Sequence, residues 1–377
     1  MPELVALHLP GGPAFVEAAQ RAWDAGDAVV PVDPRLPAAA VEVLLEAVRP
    51  SRIVDAHGTS ARPGGVPVLD GDALVMATSG STGSPKGVIH THESIAASAR
   101  ATNAGIGVDP GRDRWLCAMP VAHVAGLSVV LRALASGTPF EVLDRFDADA
   151  AMDAARRGAT LTTLVPTALA RIDPAAFRRI VVGGTHPPEH LPGNCLVSYG
   201  LTETGSAVCY DGRPLDSVQL DVRDGRILVR GPMLLRAYRT EEPAGRDPRD
   251  AHGWFDTGDE GSWDDDGRLV VHGRHGDMLI TGGENVWPVA VERALLTHPA
   301  VAAAAVIGRP DPEWGTAVTA VVVPTRPEAP PTLEELRAQV KATLPAYAAP
   351  RRLELVDALP TTLLGKVHKP TLLQPPG

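Results

Sequence analysis

The chain is poor in cysteine and shows no pattern of metal ligands. Its 377 residues include three cysteines, Cys117, Cys195 and Cys209, without CxxC spacing. Neither a disulfide framework nor a zinc site is therefore indicated. His90 and His92 are separated by one residue and have no further ligand cluster beside them, so this pair does not resemble a metal site.

Long apolar runs and an excess of basic charge are also missing. No apolar stretch is long enough to span a bilayer, and no basic segment precedes an apolar one, so we expect a cytoplasmic protein. The formal net charge of −10 argues against general affinity for nucleic acid or for an anionic membrane. The oligomeric state stays open at this stage, and a homodimer would be unsurprising.

Short apolar runs alternate with amphipathic segments over the first two thirds of the chain. This alternation predicts an α/β layered domain. The apolar runs that we interpret as buried strands cover 28–31, 73–78, 115–119, 161–165, 180–182 and 195–198. Two later stretches, 222–229 and 263–271, each place short runs around an Asp-Gly turn, so we expect β-hairpins that close this domain.

The last hundred residues predict a second, smaller unit. Helices are expected over 288–296 and 333–344, with strands over 301–307 and 317–323 between them. A chain of this length is too long for one ordinary core. We therefore predict a large N-terminal α/β domain over 1–273, a hinge over 274–277 and a small, mobile α+β domain over 278–377.

The most informative stretch, 74–88, reads LVMATSGSTGSPKGV: an apolar strand enters a loop of Gly, Ser and Thr that ends in a lysine. Glycines let backbone N–H groups approach anionic oxygens, and hydroxyls and a cation add to such a lining. A flexible linker is the plain alternative, but linkers seldom follow a strand directly. The G-x-x-x-x-G-K-[ST] spacing of the common nucleotide loop is absent. The candidate phosphate-binding residues are Thr78, Ser79, Gly80, Ser81, Thr82, Gly83 and Lys86.

This loop resembles the signature of the adenylate-forming superfamily, which includes acyl-CoA synthetases, firefly luciferase and the adenylation domains of peptide synthetases. Its further motifs follow in order. Residues 197–205, VSYGLTETG, resemble the Tyr-Gly-x-Thr-Glu motif. The resemblance implies that Tyr199 stacks on adenine, Thr202 binds the α-phosphate, and Glu203 with Thr78 holds Mg²⁺. The remaining candidates for this nucleotide site are Gly183, Gly184, Ser198 and Gly200.

Two motifs further along complete the nucleotide site and supply a hinge. Residues 254–259, WFDTGD, resemble the motif whose aspartate, here Asp259, accepts hydrogen bonds from the ribose hydroxyls. Residues 273–292 resemble the interdomain segment, in which Arg274 lies near the ribose or a phosphate. The family pivot falls on Gly276, where many relatives have Asp or Lys, and Asp277 is adjacent. The turn that borders the coenzyme A tunnel corresponds to Gly282 and Gly283.

Two more motifs concern the reacting acid. Residues 359–367, LPTTLLGKV, resemble the terminal motif whose lysine, here Lys366, bridges the carboxylate and the α-phosphate. Residues 120–127, PVAHVAGL, resemble the segment beside the acyl site, which assigns His123 as a catalytic residue and Gly126 and Leu127 to the acyl pocket. A core histidine is the plain alternative for His123.

The resemblance implies an ATP- and Mg²⁺-dependent acid–thiol ligase that forms an acyl-AMP, releases pyrophosphate and passes the acyl group to coenzyme A. The short N-terminal segment is most similar to actinobacterial o-succinylbenzoate-CoA ligases of menaquinone biosynthesis. The second carboxylate of that acid requires a cationic or hydrogen-bonding partner, and Arg132 is a candidate. The alternatives are another small aryl- or acyl-CoA ligase, an enzyme that loads a carrier-protein thiol, and an inactive nucleotide-binding protein.

Overall fold

The computed structural model describes residues 1–79, 85–184, 190–361 and 367–374. The chain divides into two compact units. The first unit comprises Met1–Asp221 and Leu228–Thr257, and the second comprises Val222–Ile227 and Gly258–Gly377. The predicted hinge at 274–277 lies inside the second unit, and its role stays a prediction.

The elements of the described residues are as follows. The helices are α1 (Pro13–Asp24), α2 (Ala38–Val48), α3 (His92–Ile106), α4 (Val124–Ser136), α5 (Ala148–Arg156), α6 (Pro166–Leu169), α7 (Pro288–Leu296), α8 (Leu333–Lys341) and α9 (Lys369–Leu373). The strands are β1 (Leu4–Leu7), β2 (Ala28–Pro31), β3 (Arg52–Asp55), β4 (Gly58–Ala61), β5 (Asp72–Ser79), β6 (Pro85–Thr91), β7 (Trp115–Cys117), β8 (Phe140–Val142), β9 (Leu161–Leu164), β10 (Arg179–Val182), β11 (Cys195–Gly200), β12 (Ala207–Tyr210), β13 (Arg213–Pro214), β14 (Gln219–Arg223), β15 (Arg226–Arg230), β16 (Ala237–Tyr238), β17 (Phe255–Trp263), β18 (Leu269–Arg274), β19 (Leu279–Thr281), β20 (Glu284–Val286), β21 (Val301–Asp311), β22 (Gly315–Pro324) and β23 (Arg352–Leu355).

The first unit contains two mixed sheets. Among the described residues, one has the order β16-β6-β5-β2-β1-β3-β4 and the other the order β13-β12-β11-β10-β9-β7-β8. Every residue of β1, β2 and β9 is buried, as expected for strands covered on both faces. A hydrophobic cluster that includes Phe15, Met76, Trp115 and Leu127 lies among the strands and α1, α3 and α4. The predicted α/β layering is confirmed.

Helices α3 and α4 have clear start and stop signals. Thr91 and Ser94 form a capping box at the start of α3, each side chain accepting a hydrogen bond from the other's backbone N–H at 3.1 Å. Gly107 ends α3 at φ 69°, and Gly137 ends α4 at φ 67°, left-handed conformations that glycine adopts without strain. These two helices lie directly beside the strands that carry the candidate site.

Both predicted Asp-Gly hairpins are confirmed. Asp224 and Gly225 turn the chain between β14 and β15 at φ 49° and 78°. The second hairpin pairs Trp263 with Leu269, and Gly267 has φ 69°. Strands β14, β15, β17 and β18 form a sheet in that order.

In the second unit, β21, β22 and β23 form a sheet on which α7 and α8 pack. Leu295, Leu336 and Val340 are buried against this sheet. Helix α7 has the predicted bounds, whereas α8 ends three residues before its predicted end and β21 continues four residues beyond its own. No helix in the part of the chain that the structure describes is long and apolar enough to cross a membrane.

Strand β6 is the main element that the pattern did not predict. It follows the phosphate loop directly and includes Lys86 and Gly87, which have low strand propensity. Pairing with both β5 and β16 outweighs that preference. A methyl group on Gly87 would lie 2.9 Å from Cβ of Arg239, so close packing between strands favours glycine there.

Candidate active site

The stem of the candidate phosphate loop is the antiparallel hairpin of β5 and β6. Thr78 pairs with Lys86, and the Thr78 hydroxyl lies 3.4 Å from the Lys86 carbonyl oxygen. Ser79 ends β5 opposite Pro85. Gly80, Ser81, Thr82 and Gly83 lie outside the described residues. The hairpin thus places the last residues before the loop and the lysine after it on adjacent strands.

Tyr238 connects the loop lysine with the candidate magnesium ligand. The Tyr238 hydroxyl donates a hydrogen bond to Oε1 of Glu203 over 2.9 Å. On the same ring, Nζ of Lys86 lies 5.9 Å from the centroid. Lys86 and Glu203 are 117 positions apart in sequence, and one tyrosine side chain contacts both. Sequence reasoning missed Tyr238, which lies in no motif that we recognised.

The backbone of Thr202 and Glu203 is held from outside their own turn. These residues begin a short 3₁₀ turn that ends at Gly205, where φ is 67°. Nε2 of His90 lies 2.7 Å from the Thr202 carbonyl oxygen. The Leu235 N–H donates to the Glu203 carbonyl oxygen over 2.8 Å. The turn that presents both candidate side chains is therefore bonded to β6 and to the segment before β16.

His90 is neutral in this position. The imidazole is fully buried, and burial lowers its pKa from 6.5 to about 4. Because a carbonyl oxygen only accepts, Nε2 carries the proton, and Nδ1 accepts from the Ser94 hydroxyl at 3.2 Å. From the sequence, His90 was considered only as a metal ligand and judged unsuitable. Its contact with Thr202 was not predicted, because a buried histidine on a strand has no distinctive sequence pattern.

Glycines at the ends of β10 and β11 permit close approach in the predicted adenine region. A methyl group on Gly183 would lie 2.3 Å from the Ser198 hydroxyl oxygen, and one on Gly200 would lie 2.2 Å from the Ser206 carbonyl oxygen. Gly184 has φ 85°. Tyr199, between Ser198 and Gly200 on β11, pairs with Cys209 of β12. The structure thus brings the predicted residues of these two motifs together on adjacent parallel strands.

His123 occupies the N-cap position of α4. Three residues later, a methyl group on Gly126 would lie 2.3 Å from the Pro120 carbonyl oxygen, so only glycine fits without displacing this turn. The Cys117 thiol lies 3.3 Å from the Gly126 carbonyl oxygen. Leu127 is 1% exposed and packs in the hydrophobic cluster of the first unit. This tight turn fixes the position of His123 at the start of α4.

Arg132, on the same helix, is a buried cation surrounded by hydroxyls. Its side chain donates to Ser206 and, at 3.1 and 3.3 Å, to Ser128 and Thr163, and it lies over the ring of Trp115 at 5.5 Å. Only 2% of the residue is exposed, and Nε has no hydrogen-bond partner. No carboxylate among the described residues forms an ion pair with it. Burial accordingly lowers the pKa of this guanidinium.

In the second unit, Asp259 and Arg274 form a pair on neighbouring strands. They are directly opposite in the register of β17 and β18, and Nε of Arg274 lies 3.1 Å from Oδ1 of Asp259. The predicted ribose-binding carboxylate and the predicted cation are therefore adjacent. Lys366, assigned as the catalytic lysine, lies outside the described residues.

Glycines recur where the second unit was predicted to pivot and to border coenzyme A. Gly276 has φ 90°, and the Asp277 N–H donates to the Arg274 carbonyl oxygen over 3.1 Å. Gly282 and Gly283 form the turn between β19 and β20 at φ 59° and 84°. These left-handed conformations explain why glycine occurs at each position. The pivot and coenzyme A roles stay predictions.

The chain matches two family models in order, the AMP-binding enzyme over residues 66–239 and the AMP-binding enzyme C-terminal domain over 290–366. It is 38% identical over 98% of its length, and 97% of the relative's length, to a protein of Mycobacterium tuberculosis named probable 2-succinylbenzoate–CoA ligase. The chain belongs to the AMP-binding enzyme family. The resemblance to adenylate-forming enzymes that the motifs indicated is confirmed.

Solved structures show the same fold. The o-succinylbenzoate CoA synthetase of Bacillus subtilis, in complex with the acyl-adenylate intermediate OSB-AMP, aligns with a TM-score of 0.87 and 28% identity, over 99% of this chain and 88% of that one. The same Bacillus subtilis enzyme in complex with ATP and magnesium ion aligns with a TM-score of 0.85 and 28% identity, over 97% and 88%. The predicted fold class, a large α/β domain followed by a small α+β domain, is confirmed.

The donors of the first unit fit a magnesium ion that is shared with a nucleotide. No group of three His, Cys, Asp or Glu side chains within the described ranges could hold a metal ion by itself. Glu203 offers one carboxylate, whose Oε1 is already oriented by Tyr238. Mg²⁺ is usually bound by one or two carboxylates together with substrate phosphates and water. A single carboxylate near Lys86, which follows the candidate phosphate loop, matches that requirement.

Proposed function

We propose that the chain activates 2-succinylbenzoate with ATP and transfers the acyl group to coenzyme A. In the first step a carboxylate oxygen attacks the α-phosphorus and pyrophosphate leaves; in the second the sulfur of coenzyme A attacks the acyl carbon and AMP leaves. Family membership supports the first step, and the names of the relatives support the acid and the thiol. Such a ligase would serve menaquinone biosynthesis in the cytoplasm.

The observation that carries the choice of acid is the buried guanidinium of Arg132. Its described partners are neutral hydroxyls and an indole ring, so no group among the described residues forms an ion pair that would balance the charge. Burying a cation without a counter-ion is costly, and a carboxylate from a ligand would remove much of that cost. 2-Succinylbenzoate has two carboxylates, of which one reacts and the other is available for such a pairing.

The residue roles belong to the same proposal. Thr202 contacts the α-phosphate, and Lys366 neutralises charge that develops during attack. Glu203 and Thr78 would hold a magnesium ion bound with ATP, which would supply positive charge to neutralise the phosphates. Asp259 binds the ribose, Arg274 lies near the ribose or a phosphate, and His123 lies beside the reacting acyl group.

Acid-dependent exchange of labelled pyrophosphate into ATP tests the first step. We expect exchange with 2-succinylbenzoate, and little with the two analogues that each lack one carboxylate. Arg132→Met should lower kcat/KM for 2-succinylbenzoate by about 30-fold or more, the range seen when one partner of a buried charge pair is lost, and should reduce the preference over the analogues. Arg132→Lys, which keeps the charge, should retain part of that preference.

A second set of outcomes separates this proposal from its alternatives. Exchange with other acids but not with 2-succinylbenzoate would indicate another acyl-CoA ligase, and failure with every acid despite ATP binding would indicate an inactive nucleotide-binding protein. Mass spectrometry of mixtures with coenzyme A would reveal the thioester, and its absence would leave a carrier-protein thiol as the acceptor. Lys366→Ala should abolish exchange while thioester formation from preformed acyl-adenylate continues.

A further inference from the structure

Tyr238 occupies a special position in the first unit, because two candidate active-site groups meet on its side chain. Among the described residues, its hydroxyl is the only group that donates to the Glu203 carboxylate, at 2.9 Å. Its ring faces the Lys86 ammonium at 5.9 Å, a distance at which a cation and an aromatic face attract each other. Tyr238 is half-buried, and it also packs against the hydrophobic cluster of the first unit.

The hydroxyl constrains the carboxylate in a specific way. A glutamate side chain has three rotatable bonds and, when exposed, samples many orientations. A hydrogen bond to Oε1 fixes the carboxylate plane and leaves Oε2 available to a metal ion. Groups that hold metal-binding carboxylates in this manner commonly raise metal affinity ten- to a hundred-fold.

Tyr238 is itself held firmly. Its backbone pairs with Val88 on β6, and its N–H and C=O both bond with Arg246 at 2.9 Å. The next residue, Arg239, is buried, and its guanidinium donates to backbone carbonyls that include Val48 at 2.8 Å and Pro67 at 3.0 Å. The backbone of Tyr238 is paired on the sheet, and the residue that follows it is anchored by its own hydrogen bonds. The sheet therefore sets the position of the phenol.

We propose that Tyr238 is a positioning residue for the adenylation step: its hydroxyl orients Glu203 toward a magnesium ion, and its ring holds Lys86 beside the phosphates. This inference rests on the proposed function, because it assigns Tyr238 to the ATP- and Mg²⁺-dependent half of the reaction. Thioester formation from preformed acyl-adenylate, which needs neither ATP nor Mg²⁺, should not depend on Tyr238.

Tyr238→Phe tests the hydroxyl alone, since the ring and the contact with Lys86 remain. We expect the Mg²⁺ concentration for half-maximal pyrophosphate exchange to rise about ten-fold or more. In addition, Mn²⁺ binding in the presence of a non-hydrolysable ATP analogue, followed by electron paramagnetic resonance, should weaken by a similar factor. Tyr238→Leu, which also removes the ring, should further raise KM for ATP.

A matched control is Tyr347→Phe in the second unit, where the same hydroxyl is removed from a tyrosine without a hydrogen bond among the described residues. It should behave like the wild type in both assays. Unchanged Mg²⁺ dependence and Mn²⁺ affinity in Tyr238→Phe would overturn the inference. So would an equal loss in both half-reactions with a lower melting temperature, because that pattern indicates a structural role.

The two proposals fail in different ways. If the wild type shows no acid-dependent exchange, the proposed function is wrong. The Mn²⁺ measurement still decides the role of Tyr238, because it requires only the nucleotide and the metal ion. If exchange occurs and Tyr238→Phe matches the wild type in both readouts, only the inference about Tyr238 is wrong.

Discussion

Lowering the pH should destabilise the first unit through His90. The unfolded chain binds a proton on this imidazole near pH 6.5, whereas in the folded state burial lowers its pKa to about 4. Between these values the unfolded state binds more protons, so the free energy of unfolding falls as the pH falls through this window. Above pH 6.5 the contribution of His90 is fully present.

The magnitude follows from the difference between the two pKa values. A drop from 6.5 to about 4, at 1.36 kcal/mol per pKa unit, amounts to about 3 kcal/mol by pH 4. Roughly 2 kcal/mol of this is lost by pH 5. His90→Gln keeps a donor that can reach the Thr202 carbonyl but has no titrating group. The difference in free energy of unfolding between the wild type and this variant should therefore decrease by about these amounts as the pH falls.

Hydrogen exchange of peptides from β6 and α3, at several pH values between 7 and 5, measures the local free energy of opening. Local exchange is preferable to global unfolding, because a chain with two units does not guarantee a two-state transition. His57→Gln, at an exposed histidine, controls for the loss of an imidazole as such. A difference between wild type and His90→Gln that stays constant over this range would refute the reasoning.

Three further substitutions test tight packing and buried charge. Gly200→Ala should lower stability by about 1–3 kcal/mol, because its methyl group would lie 2.2 Å from the Ser206 carbonyl oxygen; a melting temperature equal to that of the wild type would contradict this. Gly126→Ala, whose methyl group would lie 2.3 Å from the Pro120 carbonyl oxygen, should raise KM for the acid more than KM for ATP in steady-state assays. Arg239→Met should lower the local free energy of opening, measured by hydrogen exchange of β6 peptides, by about 3 kcal/mol, because buried carbonyls lose their donors; exchange equal to that of the wild type would contradict this.

The elements predicted well are those whose local pattern agrees with their tertiary environment. The helix at Pro288–Leu296 has proline at its first position and an apolar face, and its bounds were predicted without error. Both Asp-Gly turns were found because each has its glycine in a left-handed conformation, Gly225 at φ 78° and Gly267 at φ 69°. Strand β6 was missed because Lys86 and Gly87 have low strand propensity, and its pairing with β5 and β16 outweighs that preference only in the folded chain.

The residues of the candidate site also fall into those that the sequence predicted and those that it did not. The residues that we propose to contact a ligand directly, such as Thr202 and Glu203, occur in contiguous motifs that can be recognised in the sequence. His90 and Tyr238, which contact the turn at 202–204, do not lie in such motifs. They come from separate segments of the sequence, and only the folded chain brings them to this turn. Sequence reasoning did anticipate Arg132, but only the folded structure shows that it is buried and that no carboxylate among the described residues pairs with it.

If the acid pairs with Arg132 as proposed, the contact between Arg132 and Trp115 would make tryptophan fluorescence report its binding. Indole emission shifts with the electric field across the ring, and the guanidinium at 5.5 Å is a strong source of that field. A carboxylate that paired with Arg132 would cancel much of the field and move the emission maximum. The chain has six tryptophans, so the signal of Trp115 is isolated as the part that disappears in Trp115→Phe. Binding of the acid could then be followed continuously without label, and separately from turnover.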